Sequence, residues 1–244
     1  MAALDERIRE FWDRDASTYD ATKSHAISDR LEAAMWRQAL REALPEPGTR
    51  VLDVGAGTGA LSLLAAELGY TVTALDLSPG MLAHAERKAN ERGLEVTFVV
   101  GSAVEPPPGP FDAVMERHVL WTTTDPVAVL NAWREVAGRL VLFEGVWGSA
   151  DLGQRLKDRA ADLLRKFLHT PPDHHAPYPA DVLAQLPLAS VPSPVPLIEA
   201  AREAGWRAIR IKRLRDVEWA AKLHEGWPLG WLEHRPRFTL VAER

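Results

Sequence analysis

Short, mostly apolar runs alternate with stretches of helical periodicity across the middle of the chain. Each run holds four or five residues, and in the stretch after it the apolar positions recur every three or four residues. Strands that are mostly apolar are buried on both faces, which is typical of a parallel sheet with helices packed on each side. The pattern therefore predicts an α/β, doubly wound sheet with its first five strands at 51–54, 71–75, 96–100, 111–115 and 139–143.

The two ends of the chain have a different pattern. Residues 4–15, and a second segment that starts after Ser28 and runs to Leu44, have apolar residues at helical spacing, which predicts an N-terminal helical cap. Residues 206–214 and 237–242 are strand-like, so we expect an antiparallel edge on the sheet. The predicted units are the cap (1–45), a Rossmann-like core (46–149), an insertion after the fifth strand (150–196) and the C-terminal part of the core sheet (197–244).

Composition narrows the class of protein. The 244 residues include no cysteine, which excludes a disulfide, a thiolate metal site and a cysteine nucleophile. The formal net charge is −5, without the basic excess typical of nucleic-acid binding. No apolar run approaches the ~20 residues of a membrane span, and the charged N-terminus is unlike a signal peptide. We therefore expect a cytoplasmic protein, monomeric or homodimeric, with no nucleic-acid or membrane partner.

A glycine-rich turn follows the first predicted strand. Gly55, Gly57 and Gly59 separate that strand from a helical pattern. Glycine lets a ligand approach the backbone closely, and the helix N-terminus presents free N–H groups, so the turn predicts a cofactor cradle. The spacing Gly55-x-Gly57-x-x-Ala60, with Asp76 about 20 residues further on, also fits a dinucleotide. The turn alone therefore leaves a nicotinamide cofactor and S-adenosylmethionine open.

The residues around the turn favour S-adenosylmethionine. Gly59 adds a third glycine, and Asp53 lies inside the preceding strand, where a carboxylate suits an ammonium group and repels a pyrophosphate. The loop after the third strand reads Gly101-Ser-Ala, and the fourth strand begins Phe111-Asp-Ala-Val. Together, across residues 49–146, these motifs resemble the class I S-adenosylmethionine-dependent methyltransferases.

The segment after the fourth strand points to one branch of that family. Arg117-His-Val-Leu-Trp121, followed by Asp125-Pro126, is similar to the small-molecule methyltransferases of quinone and natural-product biosynthesis. The resemblance implies a seven-stranded, mostly parallel sheet whose last strand is antiparallel. It also implies methyl transfer to an oxygen, nitrogen or carbon atom of a small-molecule acceptor, such as an aromatic compound or a secondary metabolite, leaving S-adenosylhomocysteine. An NAD(P)-dependent oxidoreductase on a similar turn and a non-catalytic S-adenosylmethionine-binding protein stay open as alternatives.

The resemblance also implies which residues contact the cofactor. Asp53 would help to hold the ammonium group, Asp76 would accept both ribose hydroxyls, and Tyr19 of the cap would close over the site. Ser102 departs from the family, which usually has an acidic residue there, so the contact with the adenine amino group would be weaker. The other implied contacts are with the methionine part (Gly55, Ala56, Gly57, Arg117), the adenine face (Leu77, Met81) and the adenine edge (Ser102, Ala103).

The acceptor side is predicted from residues near the carboxyl ends of the strands and in the tail. His118 follows the fourth strand, and its ordinary pKa of ~6.5 would let it accept a proton as a general base. A structural histidine beneath the cofactor is the alternative. Aromatic rings suit a planar or cationic acceptor, which makes Trp121, Trp147 and Trp227 candidate substrate contacts.

Four other tryptophans and a cluster of histidines are predicted to have structural roles. Their positions on helix and strand faces predict that Trp12, Trp36, Trp133 and Trp206 pack in the core. A histidine cluster in the insertion matches no metal-ligand spacing, so we predict a polar pocket rim and no metal site at His169, His174 and His175.

Overall fold

The structure is a computed structural model that describes residues 2–21, 25–146, 152–168, 178–189, 193–232 and 235–244. Its centre is one seven-stranded sheet with the order β3-β2-β1-β4-β5-β7-β6. The strands are Arg50–Val54 (β1), Thr71–Asp76 (β2), Val96–Val100 (β3), Phe111–Arg117 (β4), Ala137–Gly145 (β5), Arg207–Arg213 (β6) and Arg237–Glu243 (β7). All five strands predicted in the middle of the chain are present and parallel.

The last strand, β7, is antiparallel as predicted, but it does not form the edge of the sheet. It pairs with β5 on one side and β6 on the other, both antiparallel, so β6 runs in the same direction as the first five strands. The sequences of the two strands explain this order. β7 is apolar and buried, whereas the edge strand β6 is largely exposed and rich in arginine and lysine, which protects an edge from pairing with another chain.

Helices cover both faces of the sheet. Ser78 and Asp125 cap their helices as side-chain acceptors, each followed by proline at the first helical position. The helix predicted to start after Ser28 has Asp29 as its N-cap residue, whose side chain accepts hydrogen bonds from the Leu31 and Glu32 amides. The helices are Ala2–Asp15 (α1), Arg30–Ala43 (α2), Ala60–Glu67 (α3), Pro79–Arg92 (α4), Pro126–Val136 (α5), Leu152–Leu168 (α6), Ala180–Leu183 (α7), Val195–Glu203 (α8), Arg215–Glu225 (α9) and Leu229–Leu232 (α10).

The core divides into two apolar layers, one on each face of the sheet. α5 and α8 pack on one face around Trp133 and Trp206, and α2, α3 and α9 pack on the other around Trp36. These three tryptophans are at most 1% exposed, which confirms their predicted core positions. Trp12 is only partly buried and packs in a separate cluster between α1 and α7. None of the described helices is both long and apolar enough to cross a membrane.

Helix α9 is the main element that the sequence pattern did not predict. Its Val217 and Ala220 are buried, while Trp219 is half exposed and packs edge-on against Trp231 of α10. The helix packs against α2, so the tail completes one of the two apolar layers. Its two largest apolar side chains, Trp219 and Leu223, are half exposed, so the apolar positions do not coincide with the buried face.

Candidate cofactor and acceptor site

Strand β1 leads directly into a left-handed glycine turn at the carboxyl edge of the sheet. Gly55, Gly57 and Gly59 have φ angles of 64°, 56° and 83°, a region that L side chains rarely adopt. A Cβ on Gly55 would overlap the side chain of Val119, and one on Gly59 would lie 2.9 Å from the Cβ of Ala85. Glycine is therefore required for both conformation and packing, and the turn lies against the loop that follows β4.

Asp76, at the end of β2, holds the glycine turn in place. Its Oδ2 accepts a hydrogen bond from the Gly57 amide (2.7 Å), and its Oδ1 accepts one from the Ser78 amide (2.8 Å). Burial raises the pKa of Asp76 to about 6, although these hydrogen bonds favour the charged form. A carboxylate has about four lone-pair positions, so Asp76 keeps acceptor capacity for the two hydroxyls of a ribose.

Asp53 lies inside β1, beneath the same turn. Its side chain is buried and accepts a hydrogen bond from the Ser62 hydroxyl in α3. Burial raises the pKa of Asp53 to about 7, while Ser62 and the positive charge of Arg117 act in the opposite direction. A cationic ligand group next to Asp53 would stabilise the carboxylate.

A pocket joins the glycine turn, the cap and the end of β4. Some of its lining was not predicted: Thr58, Ala60 and Leu61 come from the end of the turn and the start of α3. Their place at a helix N-terminus was the available sequence signal. The predicted residues in the lining are Tyr19, Asp53, Gly55, Ala56, Gly57 and Arg117.

The residues predicted around the adenine lie outside the lining of this pocket. Met81 is 2% exposed inside α4, and Leu77 packs beside the apolar cluster of the cap. The Ala103 carbonyl accepts a hydrogen bond from the indole of Trp133 (2.8 Å), and the Ser102 hydroxyl is 3.4 Å from the amide two residues further on. Their contacts with adenine stay predictions.

Two carboxylates fasten the N-terminal segment, which carries Tyr19, over the turn. Asp20 accepts hydrogen bonds from the Thr58 hydroxyl (2.6 Å) and from the Lys88 ammonium (2.9 Å). Asp13 accepts one from a backbone amide in the first turn of α4 (3.1 Å). Because Thr58 belongs to the glycine turn and Lys88 to α4, these bonds connect the cap directly to the elements that form the pocket.

His118 lies in the turn after β4 with a φ angle of 62°, a strained value for a residue other than glycine. The amide of the next residue, Val119, donates to Glu116 (2.7 Å), which closes the turn. The His118 Nδ1 is 3.1 Å from Oε2 of Glu144, at the end of β5. Burial lowers the pKa of His118, and Glu144 acts in the opposite direction. The sequence reasoning missed both glutamates, although a glutamate ending an apolar strand was a usable signal.

The residues predicted to contact the acceptor do not all lie at the pocket. Trp121 lies in a short helical turn after His118, and its ring centroid is 5.5 Å from that of Tyr178. Trp227 is 84% exposed after α9 and does not line the pocket. In the ranges given above, no group of three or more metal-ligating side chains occurs. Outside the described residues lie Trp147, His169, His174 and His175.

Comparisons with known proteins agree with this architecture. Residues 51–139 match the family described as methyltransferase domain. The chain is 38% identical over 136 residues to ubiquinone biosynthesis O-methyltransferase of Xanthomonas campestris pv. campestris (strain B100), covering 54% of this chain and 52% of that protein. It is 38% identical over 138 residues to demethylmenaquinone methyltransferase of Beutenbergia cavernae, covering 53% and 54%. The chain thus spans about half the length of these relatives.

The fold also matches solved structures over most of the chain. One is a SAM-dependent methyltransferase from Aquifex aeolicus, with a TM-score of 0.57 at 20% identity, covering 88% of this chain and 92% of that one. The likeness confirms the predicted seven-stranded α/β fold, and the family match confirms the predicted resemblance. The roles assigned to single residues stay predictions.

Proposed function

We propose that the chain, whose residues 51–139 match the methyltransferase domain family, transfers a methyl group from S-adenosylmethionine to a small-molecule acceptor. The acceptor atom is an oxygen, nitrogen or carbon. Two similar proteins are named for ubiquinone biosynthesis and for demethylmenaquinone, which supports an aromatic or secondary-metabolite acceptor. The protein acts in the cytoplasm as a monomer or homodimer, without nucleic acid as a substrate.

The observation that carries this proposal is a pair of carboxylates around the glycine turn, of which Asp53 is buried and Asp76 is partly buried. Asp53 stands beneath the turn, next to the pocket, and Asp76 is hydrogen-bonded to the turn from the adjacent strand. An ammonium group fits beside Asp53 and a ribose diol fits at Asp76, and S-adenosylmethionine contains both. A pyrophosphate beside Asp53 would meet a carboxylate, so the same site suits a dinucleotide poorly.

The protein's part in the reaction is to bind and align, because bound S-adenosylmethionine supplies the methyl group on a positively charged sulfur. The start of α3 would present backbone N–H groups to the methionine part, and Arg117 would pair with its carboxylate. Tyr19 covers this part from the cap. His118 accepts the acceptor's proton beside the turn, at the carboxyl edge of the sheet, where open α/β sheets bind their ligands. Alignment of the reacting atoms supplies much of the rate.

Calorimetric titration with S-adenosylhomocysteine and with NADH tests this function. We expect the wild-type protein to bind S-adenosylhomocysteine only. Asp76→Ala should weaken that binding about 100-fold, because two hydrogen bonds to a charged acceptor are lost. The control is Asp216→Ala, which removes an exposed carboxylate in the first turn of α9 and should leave the affinity unchanged.

Other results of these experiments would support one of the alternative functions. Binding of NADH in place of S-adenosylhomocysteine would support an oxidoreductase. An unchanged affinity in Asp76→Ala would refute the ribose contact. Binding without any transfer of labelled methyl to a range of phenols, amines and enols would favour a non-catalytic protein.

A further inference from the structure

Helix α6 exposes apolar side chains of the kind that a helix of a globular protein normally turns inwards. Leu156, Leu163 and Phe167 are 57%, 69% and 80% exposed. Ala160, between them, is exposed as well. At 3.6 residues per turn and 1.5 Å per residue, these positions fall within an arc of about 60° and extend along about 16 Å of the helix. They form one continuous apolar surface, the α6 stripe, and a surface of this kind marks an interaction site.

The opposite side of α6 attaches the helix to the carboxyl edge of the sheet. Ala161 is 1% exposed, and Asp158 accepts a hydrogen bond from the guanidinium of Arg235 (2.7 Å). Arg235 lies two residues before β7, whose first residue, Arg237, pairs with Gly145 at the end of β5. The inner face of α6 is therefore held at the edge of the sheet where the glycine turn and the pocket also lie, and the α6 stripe faces outwards.

Basic side chains border the α6 stripe on both sides. Lys157 lies about 90° from the centre of the stripe on one side, and Arg159 and Lys166 lie about 70° and 90° from it on the other. All three are exposed. The helix contains five basic and two acidic residues, whereas the whole chain has a formal net charge of −5. This local positive charge favours an anionic partner and opposes contact between the stripes of two copies of the chain.

Two exposed tryptophans belong to the element that packs beside α6. Helix α10 contacts α6 and carries Trp231, which is 45% exposed. Trp227, two residues before α10, is 84% exposed and lies outside the lining of the pocket. Tryptophan is enriched at the level of lipid headgroups, because its ring is apolar but carries a polar N–H. Leucine, phenylalanine and tryptophan next to lysine and arginine are typical of a helix that lies in a membrane interface.

We propose that α6 docks the protein on an anionic lipid bilayer, with the α6 stripe inserted below the headgroups and the bordering basic side chains at the phosphates. Long basic side chains reach headgroups while their stems lie along apolar surface. The sequence predicted no membrane partner because no apolar run approaches the ~20 residues of a span, but a helix that lies in the interface needs no such run. Docking would bring the carboxyl edge of the sheet towards the bilayer. The inference goes beyond the proposed function and does not depend on it.

Sedimentation of the full chain with lipid vesicles tests this proposal. Wild-type protein should bind vesicles made of equal parts of phosphatidylcholine and phosphatidylglycerol about 100-fold more tightly than pure phosphatidylcholine vesicles, because each basic side chain near an anionic surface contributes about fivefold. In Lys157→Gln/Lys166→Gln, binding to the anionic vesicles should fall about 25-fold for the same reason. In Leu163→Ser/Phe167→Ser it should fall about 30-fold, because two apolar side chains no longer enter the bilayer.

Matched variants control for the loss of an exposed side chain as such. Leu31→Ser/Val195→Ser removes two exposed apolar side chains from α2 and α8. Arg41→Gln/Arg87→Gln removes two exposed positive charges from α2 and α4. Both control variants should bind the anionic vesicles as wild type does. Circular dichroism of every variant should match that of the wild type, which shows that a loss of binding does not result from unfolding.

Three results would overturn the proposal. If wild-type protein does not bind the anionic vesicles, a bilayer is not the partner, and an acidic protein would fit the α6 stripe instead. If the α6 variants bind as tightly as the controls, another surface carries the contact with lipid. If light scattering without vesicles shows a dimer that Leu163→Ser/Phe167→Ser abolishes, the stripe is an interface between copies of the chain.

Discussion

Two aspartates that sequence reasoning selected are also the acids most affected by burial at the glycine turn. Asp53 and Asp76 lie on neighbouring strands, and burial is the largest cause of the raised pKa of each. The unfavourable burial of a carboxylate is tolerated where a ligand provides it with a charged or polar partner. When no ligand is bound, the free energy of unfolding should therefore depend on pH through the titration of these two residues.

The pH dependence of stability should change in Asp53→Asn. The folded protein keeps the Asp53 proton up to about pH 7, whereas an unfolded aspartate loses it near 3.8. Unfolding therefore releases a proton between these values, and this contribution to stability is present at low pH and lost as pH rises towards 7. The amide carries no such proton, so the variant should be more stable than wild type at pH 7.5, by about 2 kcal/mol or more.

Urea unfolding of both proteins at several pH values between 4.5 and 7.5 measures this difference. The gap between the curves should shrink as the pH falls. Parallel curves would contradict a raised Asp53 pKa. At pH 7.5 the variant should also bind S-adenosylhomocysteine more weakly, because the neutral amide replaces the carboxylate beside the ammonium group.

How far single residues can be predicted from the sequence depends on how local their contacts are. Asp53, Gly55 and Gly57 belong to one short motif, and Asp76 is fixed to it by the next strand, so the sequence sufficed to group them. The pair of His118 and Glu144 depends on the register of β4 against β5, which no local pattern contains. Met81 was included because the family resemblance implies an adenine contact there, and its side chain is buried within α4.

At the scale of elements, the central strands were predictable from their apolar runs, whereas helix α9 was not. The five central strands are mostly apolar and follow the sequence pattern closely. Helix α9 was missed because much of its surface is polar or exposed, Trp219 included. The exchange of β6 and β7 at the sheet edge was also missed, because pairing order depends on which strand is better buried rather than on chain order.

The connection between the cap and the pocket yields a prediction for Asp20→Asn. Asp20 is the acceptor for both Thr58 and Lys88, and its replacement leaves a neutral amide between a hydroxyl and an ammonium group. The ion pair is partly exposed, so the cost to global stability should be about 1 kcal/mol or less. The N-terminal segment should nonetheless detach more often from the turn.

Hydrogen exchange of residues 2–21 measures that detachment. We expect faster exchange in Asp20→Asn and faster dissociation of S-adenosylhomocysteine, since Tyr19 lies on the same segment. Glu6→Gln is the matched control, because Glu6 pairs with Arg9 inside α1 and does not connect the segment to the pocket. Equal exchange in the two variants would show that Asp20 does not hold the cap.

At the scale of the whole molecule, the exposed edge strand β6 carries charges that oppose pairing with a second copy of the chain. The backbone groups on its outer side face away from β7, and an uncovered edge of this kind can pair with a second copy. Its sequence opposes this with basic side chains, of which Arg210 and Lys212 are largely exposed and contact Glu243 and Glu42. Two such edges brought together would place these positive charges against each other.

Replacing both residues by threonine should therefore promote association through β6. Threonine keeps the preference for strand conformation, removes the charges and leaves the pairing of β6 with β7 intact. Light scattering over a range of protein concentrations should show a larger average mass for Arg210→Thr/Lys212→Thr than for wild type, and the difference should narrow at high salt, which screens the wild-type repulsion. The control pair Arg202→Thr/Arg215→Thr removes two exposed charges from helices and should associate no more than wild type. If both double variants associate equally, net charge rather than the sheet edge controls assembly.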